Sequence, residues 1–69
     1  MNDLKKQYHS FSNGNRSAEV FLDTANGEKN WSVDCFENND LSTTFEMPYE
    51  AAAEQLAEEW VFNYIQVPT

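Results

Sequence analysis

What the chain lacks narrows its chemistry first. It has one Cys, Cys35, and one His, His9. A single Cys cannot close an intrachain disulfide. A structural zinc site draws on several Cys or His ligands at fixed spacing, so no metal site is expected. Lys and Arg number 4 against 12 Asp and Glu, for a formal net charge of −8. Lys5, Lys6, Arg16 and Lys29 all fall in the first half, and from Trp31 to Thr69 there is neither Lys nor Arg. Such a surface repels nucleic acid and anionic membrane and attracts basic protein surfaces, so direct nucleic-acid binding is not expected. Only two glycines are present, each after an Asn, so there is no Gly-rich phosphate loop. No apolar run approaches a membrane span, and none follows Lys5-Lys6 to make a secretory signal. A cytoplasmic protein is expected on that reading.

What is present argues for a folded core. The 69 residues are 41% hydrophobic and 14% aromatic, too apolar for a disordered acidic chain. One domain, residues 1–69, is expected. A chain this short buries only about 60% of its unfolded surface. Its core must be thin, with little room for an internal ligand cavity of about 300–1,000 Å3.

Four segments read as extended. Gln7 to Ser12 is the weakest and leads to the turn signal Asn13-Gly14. Ala18, Val20 and Leu22 alternate with Glu19, Phe21 and Asp23. After Asn26-Gly27, Trp31, Val33 and Cys35 alternate with Ser32, Asp34 and Phe36. Glu37-Asn38-Asn39-Asp40 is a polar turn, and Leu41, Thr43, Phe45 and Met47 then alternate with Ser42, Thr44 and Glu46. The period changes after Pro48, which suits a first helical position. Ala53, Leu56, Ala57, Trp60 and Tyr64 share a face, and Pro68 forbids continuation. The spacing predicts a helix over 49–65, with its Leu56–Trp60–Tyr64 stripe on the Val20/Val33/Phe45 face. The expected fold is α+β: an antiparallel meander of three to four strands packed against one C-terminal helix, ββββα.

Catalytic residues are scarce. A Cys35–His9 pair is formally available, but Cys35 falls in mid-strand among apolar residues, where it reads as core. Asp23 to Glu28 and Glu37 to Asp40 are oxygen-rich but do not fit a calcium loop, and both read as turns. No catalytic residue, metal or cofactor is expected.

The remaining constellation is acidic. Glu50, Glu54 and Glu58 stand four apart on the helix, rising about 6 Å per step, and Glu59 joins them. No Lys or Arg is placed to relieve them along the helix. Glu19, Asp23, Asp34 and Glu46 occupy the sheet face opposite the apolar alternation, with Glu37 and Asp40 at a turn. Phe21 and Phe36 share that face, and Phe62 falls on the polar side of the helix. Acids that steer and aromatics that anchor make a contact surface. Two readings of the phenylalanines stay open: exposed anchors, or residues covered by Tyr8 and Phe11 of the N-terminal segment.

On the Glu50/Glu54/Glu58/Glu59 helix and the Glu19, Asp23, Asp34, Glu37, Asp40 and Glu46 set, the chain resembles the small acidic phage and mobile-element inhibitors of host defence, among them DNA-mimic anti-CRISPR proteins. The resemblance spans the whole chain in size, acidity and α+β pattern, and carries no specific motif. It implies a non-enzymatic inhibitor that occupies the basic DNA-binding surface of a CRISPR effector complex, in a bacterial host cytoplasm if phage-encoded. The competing reading is an interaction or assembly module, monomer or homodimer, that uses the aromatic patch or an open sheet edge.

Overall fold

Two tight turns set the order of the sheet. At the first, Gly14 is left-handed (φ 64°) and Asn15 is not, the pattern of a type II′ hairpin. Asn13 and Arg16 close it as a strand pair, so the loop is Gly14-Asn15 and not the expected Asn13-Gly14. At the second, Asn38 (φ 55°) and Asn39 (φ 69°) are both left-handed, as type I′ requires, and Glu37 pairs with Asp40. Asn tolerates that backbone region better than other side-chain-bearing residues. Of the expected Asn26-Gly27 turn, Gly27 is left-handed at φ 73°, and Asn26 lies outside the described residues.

The computed structural model describes residues 5–24, 27 and 29–64. Strands β1 (Lys5–Asn13), β2 (Arg16–Asp23), β3 (Asn30–Glu37) and β4 (Asp40–Met47) form an antiparallel meander in sequence order, and helix α1 (Glu50–Val61) follows. The architecture is the ββββα, α+β fold expected from the alternation. The weak first segment is a full strand, paired with β2 along its length. Among the described residues no helix is long and apolar enough to cross a membrane.

One face of the sheet and one side of the helix make the core. Ala18, Val20, Leu22, Trp31, Val33 and Cys35 meet Ala53, Ala57, Trp60 and Val61, all buried. Ala53 and Ala57 leave the helix backbone free to approach the strands, and Trp60 fills the remaining volume at 0% exposure. Its indole Nε1 donates to the Phe36 carbonyl at 3.0 Å, which satisfies its one polar atom.

The helix differs from expectation at both ends. It starts at Glu50 behind an extended Tyr49, so Pro48 precedes the helix and does not open it. It ends at Val61 and not at 65. Asn63 adopts φ 65°, its N–H bonds to Trp60 O, and the Tyr64 N–H bonds to Glu59 O. This is a Schellman stop built on Asn in place of the usual Gly. Tyr64, expected in the buried stripe, is 78% exposed beyond the stop. Leu56 is only partly buried, and Ala53, Trp60 and Val61 hold the centre. Val67 and Pro68 lie outside the described residues.

Leu41 is a second correction. Cys35 pairs with Thr43 but Phe36 pairs with Leu41, so Ser42 is an extra residue in β4. A bulge of one residue switches every side chain beyond it to the other face. Leu41 therefore leaves the Thr43–Phe45–Met47 face and stands opposite Phe36, 58% exposed.

Candidate functional site

The sheet has helix on one side only, and the strand alternation sends a defined set of residues to the other. Glu19, Phe21 and Asp23 of β2, Ser32, Asp34 and Phe36 of β3, and Thr44 and Glu46 of β4 alternate with the helix-facing residues. Among the described residues no element covers that face. Register then places the acids against one another. Glu19 is directly opposite Asp34, and Asp34 is opposite Thr44, one diagonal step from Glu46. Directly opposed positions have Cβ atoms about 5 Å apart, and diagonal ones about 7–8 Å. The Thr44 hydroxyl donates to Asp34 Oδ1 at 3.0 Å, which holds that carboxylate in place. Glu19, Asp34 and Glu46 thus form a slanted row across three strands. Strands β2, β3 and β4 bring no Lys or Arg to this face, because Arg16 lies on the helix side.

Phe21 and Phe36 share this face, both partly buried. Tyr8 and Phe11 do not fold over them. Tyr8 meets Trp31 edge-on, with ring centroids 5.3 Å apart, and Phe11 packs on the helix-side core. The reason is register: Phe11 pairs with Ala18, an inward-facing residue. Phe36 instead has Leu41 opposite it, which the unbroken alternation in the sequence could not reveal. Phe62, expected on the helix's polar side, is the residue just past the helix end, 53% exposed.

The helical acids do not form one unrelieved stripe. His9 Nε2 lies 2.8 Å from Glu50 Oε2 and 2.6 Å from Glu54 Oε2. The helix-local spacing rule could not find this partner, because it arrives from β1, 41 residues before Glu50. Glu59 accepts a bond from Gln55 at 3.3 Å, and Glu58 is exposed. The two acid sets occupy opposite sides of the molecule and do not make a common surface. Glu37 also leaves the acidic set. It lies 3.5 Å from Arg16 Nε on the helix side, with Asp40 opposite it at the turn.

Arg16 was not singled out by its sequence context, yet it is 5% exposed and organises the end of the helix. Its guanidinium sits 4.0 Å from the Trp60 ring centroid, and Nη1 donates to Trp60 O at 3.2 Å. Asn13, its hairpin partner, donates to Val61 O at 3.1 Å. The closing pair of the first hairpin thus supplies donors to the last helical carbonyls, where the helix itself has no basic residue in its last turn.

Cys35 is fully buried beneath the helix. Burial, reinforced by the neighbouring Asp34 charge, pushes its thiol from the ordinary 9.0 up to about 11. A nucleophilic Cys needs the opposite shift. A hollow of about 270 Å3 opens at the turn end of the sheet between Gly14, Asn15, Asn38 and Asn39. It is smaller than the usual small-molecule site of about 300–1,000 Å3. No protein-family model, curated protein or solved structure matches the chain.

Proposed function

We propose that the protein is a non-enzymatic acidic binder whose open sheet face docks on a basic surface built for nucleic acid. The specific form is inhibition of a CRISPR effector complex by DNA mimicry. The observation that carries the reading is the Glu19–Asp34–Glu46 row. Like charges directly opposed on a sheet are destabilising. Neutral polar residues at those positions would solubilise the face without that cost. A counter-charged partner converts the cost into attraction and speeds encounter. Phe21, Phe36 and Leu41 beside the row offer apolar anchors.

The test is displacement of labelled duplex target DNA from a CRISPR effector complex, at about 50 and about 200 mM salt. The wild-type protein should displace DNA strongly at low salt and far less at high salt. The Glu19→Gln/Asp34→Asn/Glu46→Gln variant should displace little at either. If the wild type does not compete, or the variant competes as well, the reading is wrong. One observation favours a second reading: the Phe36–Leu41 pair gives the same face an apolar corner for self-assembly. That reading predicts a homodimer insensitive to salt.

A further inference from the structure

Sequence spacing argues against any metal site, yet the fold converges three donors from two distant elements. His9 Nε2, one carboxylate oxygen of Glu50 and one of Glu54 all lie within 4.8 Å of one another. Glu50 and Glu54 are one helical turn apart, so both carboxylates project to the same side of α1. His9 reaches them because β1 carries a bulge. Gln7 pairs with Phe21 and His9 with Val20, which leaves Tyr8 as the extra residue and turns His9 toward the helix. Three polar atoms crowd one point, and the crowding is relieved by an Nε2–H donated to the carboxylates or by a metal ion at the centre.

We propose that His9, Glu50 and Glu54 form a binding site for a divalent transition cation of the zinc class. The donor set decides the class. One imidazole nitrogen with two carboxylates suits Zn2+ and its neighbours, whereas Mg2+ and Ca2+ take oxygen donors only. Bonds of about 2.0–2.2 Å in tetrahedral geometry place donors roughly 3.3–3.6 Å apart around the ion. The Nε2–oxygen separations of 2.8 and 2.6 Å need to open by about half an ångström or more on that geometry. The side chains are 32%, 47% and 39% exposed, so solvent leaves them room to do so. That exposure leaves the remaining coordination positions to water. Coordination would tie the edge strand β1 to α1, joining elements that the chain separates by three further strands.

The experiment is titration of the full chain with Zn2+ alone, read by calorimetry and thermal unfolding, with Mg2+ and Ca2+ as matched controls. The expected result is one Zn2+ per chain and a Tm raised by about 10–20 °C at a hundredfold excess over Kd. Mg2+ and Ca2+ should shift it little. His9→Gln and Glu54→Gln should each weaken Zn2+ binding by at least about tenfold, the loss seen even for outer-shell changes. Glu46→Gln, on the opposite face, should leave it unchanged. Equal Zn2+ affinity in His9→Gln, or equal response to Mg2+, would mean that exposed carboxylates bind cations without a site, and would overturn the proposal. Should His9→Gln fail to fold, the His9 ring nitrogens of the wild type decide by NMR. A Zn2+-dependent shift at Nε2 supports the site, and a ring that answers only to pH identifies the centre as a proton.

Discussion

On the side turned to α1, the sheet presents Ala18, Val20, Leu22, Trp31, Val33 and Cys35, and the one charge buried among the described residues, Arg16, is held by a ring, a carbonyl and a carboxylate. On the other side, Glu19 faces Asp34 and Glu46 lies one diagonal step away. The first surface excludes water and sets its one buried charge against a counter-charge. The second sets like charges against one another. Both come from the same strands, with alternate residues going to each side. The lesson is that β2, β3 and β4 divide their labour by parity: one set of positions holds the fold, and the other is free to carry a function at some cost to stability.

The sharpest way to break this division is to remove Trp60. Trp60→Ala should cost about 3–5 kcal/mol, and it also strands Arg16 and the Phe36 carbonyl. A domain of this size has little more stability than that, so chemical denaturation should show a largely unfolded chain. Arg16→Met tests whether the buried charge is structural. It leaves the helix-end carbonyl and Glu37 without their cation, and the denaturation midpoint should fall by the equivalent of about 2–3 kcal/mol. Displacement of DNA by the residual folded protein should be unaffected.

Cys35 gives a third test, by pH. Its folded thiol is raised from 9.0 to about 11, so the native state holds a proton that the unfolded state releases first. Its contribution to stability is complete below pH 9 and is lost as pH rises toward about 11. Thermal scans in wild type should decline over that window more steeply than in Cys35→Ala. A thiol reagent at pH 8 should label the native protein slowly and the denatured protein at once. The smallest expected effect is the most informative. Glu19→Gln relieves the Glu19–Asp34 opposition, so stability should rise by about 0.2–1 kcal/mol while binding to a basic surface weakens. A stability loss would show that the outer row is structural after all.

The alternation of Ala18 to Asp23 and of Trp31 to Phe36 was enough to assign two strands and their inward faces, because a period of two admits only one face to the core. The ββββα order also followed from the sequence, since short Asn-rich turns allow only antiparallel neighbours. The first strand was faint because its inward residues, His9, Phe11 and Asn13, are mostly polar and its bulge at Tyr8 interrupts the pattern. Of the acidic residues, Glu19, Asp34 and Glu46 were readable as outward-facing. Their mutual opposition was not, because it depends on register between strands.

Local period and composition were enough for the fold class, the sign and asymmetry of the charge, and the inward faces of β2 and β3, but not for Leu41 of β4 or for β1, where a bulge shifts the register. Tertiary structure alone decided the rest. It brought His9 to Glu50 and Glu54, lodged Arg16 against Trp60 at the end of the helix, and stopped the helix at an Asn. The first two join residues more than 40 positions apart, a distance over which no local rule of spacing operates. The third turned on a left-handed Asn63, a conformation open to that residue but not dictated by it.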